Sequence, residues 1–176
     1  MLKLVSFLDA ITERVGRATS WISLLLVLLV VYDVVMRYFF QQSTAAVIEL
    51  EWHLFSLIFL LGASYGMKHD KHVRVDVLYM RWSPRRQAWV NLLGHLLFVL
   101  PFGAILLRSA WKFAANSYAI QETSPNPDGL ALWYPIKGAI VVAAALLLLQ
   151  SLAELLRQAL RLAGRMSYPE TPEAHA

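Results

Sequence analysis

Four apolar runs dominate the chain, and each is long enough to cross a lipid bilayer. Crossing the hydrocarbon takes about 20 mostly apolar helical residues. The runs cover about 19–40, 47–67, 87–107 and 132–155. Asp33 interrupts the first. The third contains no Asp, Glu, Lys or Arg, and the fourth has Lys137 near its start and Glu154 near its end. In lipid every backbone N–H and C=O must be bonded within the protein, which leaves helices as the reading for runs of this length. The expected fold is an all-α integral membrane protein with four transmembrane helices.

Composition agrees: 58% of the 176 residues are apolar and 16% are charged. One domain, residues 1–165, accounts for the apolar sequence, and the polar tail 166–176 is expected to be disordered. The six tryptophans, Trp21, Trp52, Trp82, Trp89, Trp111 and Trp133, all fall at or near run ends. That is the interfacial belt an amphipathic indole prefers. The net charge of +4 is scattered along run edges, which suits phospholipid head groups rather than nucleic acid. Absence of cysteine excludes disulfides and thiolate metal sites.

Lysine and arginine set the expected orientation. They crowd the N-terminal tail (Lys3, Arg14, Arg17), the C-terminal end (Arg157, Arg161, Arg165) and above all the middle connection. The first connection has only Arg37 beside it, and the third has Arg108, Lys112 and Lys137. Positive residues stay in the cytoplasm, so both termini are placed inside. Asp9 and Glu13 precede the first run and no small-residue cleavage site follows it, which argues against a cleaved signal peptide. Leu4, Phe7, Leu8, Ile11 and Val15 recur at helical spacing instead, and predict an amphipathic helix lying on the cytoplasmic surface.

Charges within the bilayer cost on the order of 2.5–3.5 kcal/mol each at a helix centre, so each needs a partner. Asp33 and Arg37 are four apart and can pair along one face. The alternative sends Arg37 across to Glu49 or Glu51 to fix the packing of the first two helices. "IELEWHLF" opens the second run with Glu49 and His53 on one face and Glu51 on another. Interfacial polar groups that cap the helix N-terminus, or contact a partner, explain these better than a metal or a proton relay. Gly62 and Gly66 form a GxxxG pair that admits a close helix, and Ala139 and Ala143 repeat the spacing. His95 lies inside the third run. Pairing it with His53 on a haem would require equal depth, and the two differ by roughly 9 Å along the bilayer normal at 1.5 Å per residue. A histidine bonded to a neighbouring helix is the simpler expectation. Pro101 is expected to kink the third helix. No phosphate loop, nucleophile elbow, HExxH or unwound midplane segment occurs, so neither an enzyme nor a cofactor is expected.

"YGMKHDKHVRVDVLYMRW" (65–82) joins the second and third runs. Its period-two alternation resembles a strand, but a lone strand there has no sheet to join. Read as an interfacial helix, it puts Val75, Leu78, Tyr79 and Trp82 on one face with Arg74, Arg81 and Arg85 near head groups. His69, His72 and Asp76 could share a helical face, where solvated polar groups explain them as well as a metal does.

Three blocks carry a family resemblance: "RYFF" ending the first run, "IELEWHLFSLIFLLGASYGMKHDKHVRVDVLY" and "SPNPDGLALWYPIK". With them the chain, from about Val34 to Glu154, resembles the small membrane subunit of TRAP (tripartite ATP-independent periplasmic) transporters. One departure is that the family more often reads Pro-Gly-Gly-Leu-Pro where this chain has Pro127, Asp128, Gly129, Leu130 and Ala131. The resemblance implies a bacterial inner-membrane importer of three parts. A periplasmic binding protein captures an organic acid anion, and a large elevator-type subunit carries it in on a sodium gradient. The small subunit braces the large one, and the substrate and sodium sites belong to the latter. Arg37, Glu49, Glu51, His53, Gly62, Gly66, His72 and Asp76 are then structural or partner-interface candidates. The competing classes are a membrane anchor of a redox enzyme and a self-sufficient small transporter.

Overall fold

The computed structural model describes residues 2–69, 79 and 81–168. The expected interfacial helix of the middle connection, with His72 and Asp76, and the last eight residues of the tail lie outside the described residues. Four helices carry the described chain: α1 (Leu2–Phe39), α2 (Ala45–Lys68), α3 (Pro84–Ala119) and α4 (Tyr134–Leu162). All four are long and apolar enough to span a bilayer, and no strand occurs among the described residues. Helix α4 packs against each of the other three, and α1 also packs along α2.

The apolar and polar positions are distributed as lipid demands. Leu25, Val27, Leu28, Phe55, Phe59, Phe98 and Phe102 are exposed, as are Trp21, Trp52 and Trp111. Much of the buried set is small or polar: Ala143, Ala144, Ala153, Ser64, Ser117, Ser151 and Gln150. Helices surrounded by hydrocarbon gain nothing from burying leucine, so close approach and interhelical hydrogen bonds hold them together.

The spans extend well past their apolar windows. At 1.5 Å per residue the 38 residues of α1 reach about 57 Å, nearly twice the roughly 30 Å hydrocarbon. The N-terminal segment expected as a separate surface helix is helical, but it continues into the first span without a break. Its Val5, Leu8, Thr12 and Gly16 are buried, while Leu4 and Phe7 are exposed. The apolar stripe is therefore divided between neighbouring helices and the surroundings.

Gly16 explains how α1 stays close to α2. A Cβ at this position would lie 2.1 Å from the Tyr65 ring, so only glycine lets the ring cross α1. Gly103 does the same for α3 and α4, where a Cβ would meet Leu148 at 2.7 Å. Gly16→Ala is expected to lower stability by about 1–3 kcal/mol through overpacking. Thermal unfolding in detergent would show a reduced midpoint. Adding Tyr65→Ala should abolish the extra penalty, and a penalty that persists would exclude this contact as its cause.

Helix α3 departs from α geometry at a π turn, His95–Val99. The Leu100 N–H donates to the His95 carbonyl, one residue beyond the α-helical partner. Pro101 follows directly and has no N–H to give Leu97, and its ring crowds that carbonyl. A widened turn relieves both problems. The kink expected at Pro101 thus takes the form of a π bulge ahead of it.

Candidate functional site

The first turns of α2 bring Glu49 to the loop between α3 and α4. Its side chain is almost wholly buried and accepts four hydrogen bonds. Oε1 takes one from Ser124 Oγ at 2.5 Å and one from Asn126 Nδ2 at 2.9 Å. Oε2 takes one from the Leu130 backbone N–H at 2.8 Å and one from Trp133 Nε1 at 3.2 Å. A carboxylate is the side chain with acceptors only, and all four of its partners are donors, so the match is complete. A second tie, Ala46 N–H to the Asp128 carbonyl at 3.0 Å, holds the same loop to the start of α2.

The loop needs its small residues. A Cβ on Gly129 would lie 2.2 Å from Ser124 Oγ and 2.9 Å from Glu49 Oε1, filling the space around the carboxylate. Asp128 has φ +58°, in the left-handed region where aspartate is among the few tolerated non-glycine residues. This is the place where the resembled pattern carries a second glycine. The departure in sequence therefore keeps the turn.

Sequence candidates fall into distinct places. Glu49 does not cap its own helix; it fastens a loop some 75 to 84 residues along the chain. The cap position of α2 is Thr44, whose side chain makes no capping bond. His53 shares Glu49's face as expected: its Nδ1 lies 2.5 Å from the Glu49 carbonyl and its ring meets Trp133 edge-on at 5.9 Å. Arg37 pairs with buried Asp33 on its own helix, and not with Glu49 or Glu51. Glu51 Oε1 and His53 Nε2 are shielded from solvent without a hydrogen-bond partner among the described residues. Among the described residues nothing lies within 4 Å of where a Cβ would stand at Gly62 or Gly66, so their face is open there along α2. His95 Nδ1 bonds Ser151 Oγ on α4 at 3.0 Å, as expected for a histidine joined to a neighbouring helix.

Sequence reasoning missed three features, one beside the Glu49 loop and two elsewhere in the bundle. Lys137 pairs with Glu122 and lies 4.2 Å from the Phe113 ring centroid, which accounts for a lysine at the start of a span. At the far end of the bundle, Arg157 bridges Asp9 and Glu154, and Gln150 donates to Asp9 at 3.1 Å. Thr12 completes the set by donating to Gln150 Oε1 at 2.7 Å. Glu13 meets Lys68 at 2.6 Å and His69 at 3.1 Å, tying α1 to the end of α2. Among the described residues no three His, Asp or Glu side chains converge in the manner of a metal site.

The Glu122 carboxyl lies in the loop, and its bond from Lys137 holds it below the ordinary value of 4.5. A lowered folded-state value means that the pair's contribution is present above pH 4.5 and is lost as pH falls below it. Melting midpoints should therefore drop on acidification below that pH, and drop less in Glu122→Gln. Equal slopes in the two proteins would rule the pair out as the source.

The two blocks that meet at Glu49 are two of the three that carry the resemblance. A profile described as "Tripartite ATP-independent periplasmic transporters, DctQ component" matches residues 7–161. The chain belongs to this family. It is 28% identical over 123 residues to a Haemophilus influenzae protein named as a TRAP transporter small permease, covering 70% of this chain and 76% of that one. It is 32% identical over 131 residues to the C4-dicarboxylate TRAP transporter small permease protein DctQ of Vibrio cholerae. That match covers 67% of this chain and 56% of the Vibrio protein. No solved structure matches the chain. As a TRAP small permease component it is a multi-pass membrane subunit of a transporter family.

Proposed function

We propose that the chain is the scaffold subunit of a TRAP importer in a bacterial inner membrane, with both termini in the cytoplasm. It associates with the large elevator-type subunit, which takes up an organic acid anion from a periplasmic binding protein on a sodium gradient. The supporting observation is the family match over residues 7–161. The Vibrio relative's name favours a small carboxylate substrate. The internal chemistry is in keeping with a brace. Glu49, Asp33, Glu122 and Glu154 are each engaged by side chains or backbone of this chain. What remains for a partner is a lipid-like exterior, with the Gly62–Gly66 face and Glu51 on α2. His72 and Asp76 are candidates for the cytoplasmic side of the same contact.

Purification from native membranes in mild detergent tests the reading. A large multi-span membrane protein is expected to co-elute, and its recovery should fall when Gly62 and Gly66 are both replaced by leucine. Isolation alone as a haem-bearing oligomer, or anion flux in vesicles holding only this chain, would overturn it.

A further inference from the structure

An open groove of about 550 Å³ runs between α3 and α4, lined by Ala104, Leu107, Trp111, Val141 and Leu148 with Arg108 and Lys112 at its edge. Its volume is within the roughly 300–1,000 Å³ of ligand clefts, and its wall is almost entirely apolar. Gly103 seats the helices together at the Leu148 level, so the groove begins there. From that point it climbs toward the α3–α4 loop and ends beside the exposed indole of Trp111.

The cations are the informative part. Arg108 and Lys112 are four apart on one helical face, where like charges repel. Helix α3 contains no acid at all between Pro84 and Ala119. The acids that follow on the chain do not neutralise them: Glu122 is held by Lys137 and Glu154 on α4 by Arg157, and Asp128 in the α3–α4 loop forms no ion pair with either cation among the described residues. No salt bridge within the described residues involves either Arg108 or Lys112. Two unneutralised cations and a tryptophan thus stand at the polar end of an apolar groove, in a chain surrounded by lipid.

We propose that this groove holds an acyl chain of an anionic phospholipid, with the lipid phosphate between Arg108 and Lys112. The chain lies along Leu107, Val141 and Leu148, and the head group rests against Trp111. The bilayer leaflet on the α3–α4 loop side supplies the lipid. The inference needs only that the protein is embedded in a membrane, so it stands or falls apart from the assembly proposed above.

The test compares two lipids with the same palmitoyl and oleoyl chains, phosphatidylglycerol and phosphatidylcholine, by native mass spectrometry. The probe protein is the full chain, purified in mild detergent with any partner it retains. Phosphatidylglycerol should be retained in preference, and the preference should drop about fivefold for each cation removed in Arg108→Gln and Lys112→Gln. Arg108→Lys should keep it. Val141→Trp, which fills the groove, should cut retention of both lipids. A preference that survives in Arg108→Gln/Lys112→Gln overturns the proposal. So does a photocrosslinker at Ala104 that captures protein instead of lipid in native membranes, because the groove would then be a subunit contact.

Discussion

Replacing Glu49 with alanine is expected to release the α3–α4 loop from α2 and destabilise the bundle by about 3–5 kcal/mol. The size follows from what is left behind. Ser124 Oγ, Asn126 Nδ2, the Leu130 N–H and Trp133 Nε1 all lose their acceptor at once. Buried donors stripped of a charged acceptor bear a full desolvation penalty, although four such losses at one carboxylate do not simply add. Glu49→Gln keeps the shape but turns one acceptor oxygen into a donor. That NH₂ must face either Ser124 and Asn126 or Leu130 and Trp133, so about half the effect should persist. Amide hydrogen exchange reads the event directly. The Leu130 N–H should lose its protection in Glu49→Ala, with little change in the N-terminal turns of α1. Undiminished protection at Leu130 would mean that the carboxylate does not hold the loop.

The spans were legible in the sequence because one physical demand sets them: a helix in hydrocarbon must be apolar for about 20 residues. Their ends were not. Residues 2–18 of α1 and 108–119 of α3 continue as helix beyond any apolar window, since packing and existing helical turns extend a helix without further apolar sequence. The pairing of Asp33 with Arg37 could be anticipated from a spacing of four. The role of Glu49 could not, because its donors come from a loop brought back by the intervening helix α3. A hint was present in "SPNPDGLALWYPIK", where serine, asparagine and tryptophan are the donors a buried carboxylate requires. Glycine spacing was silent about partners in the same way. The GxxxG spacing pointed to Gly62 and Gly66, whose face is open, whereas the close helix contacts use Gly16 and Gly103, which follow no motif. Spacing within one helix says which residues share a face, and cannot say which face meets a neighbour.

Arg157→Ala is expected to detach the N-terminal third of α1, with a loss of about 3–4 kcal/mol. Arg157 is only 16% exposed and is the one cation bonded to Asp9 and Glu154 among the described residues. Removing it leaves two largely buried carboxylates with no cation between them, and Gln150 and Thr12 cannot supply a charge. Arg157→Lys should recover part of the loss, because a single ammonium can serve one acid well but lacks the guanidinium fork that reaches both. Combining Arg157→Ala with Asp9→Asn should also recover part, by removing one of the stranded charges. Exchange in residues 5–16 should rise by about 100-fold or more, while the Leu130 amide stays protected. The two fastenings are at opposite ends of α4, with no shared partner: Glu49 holds the loop before Tyr134, and Arg157 lies in the last turns. Their effects should therefore be independent. In Glu49→Gln/Arg157→Lys the two losses should add to within about 0.5 kcal/mol. A larger discrepancy would mean that α4 transmits strain between its ends, and that the loop and the N-terminal segment act as one coupled unit.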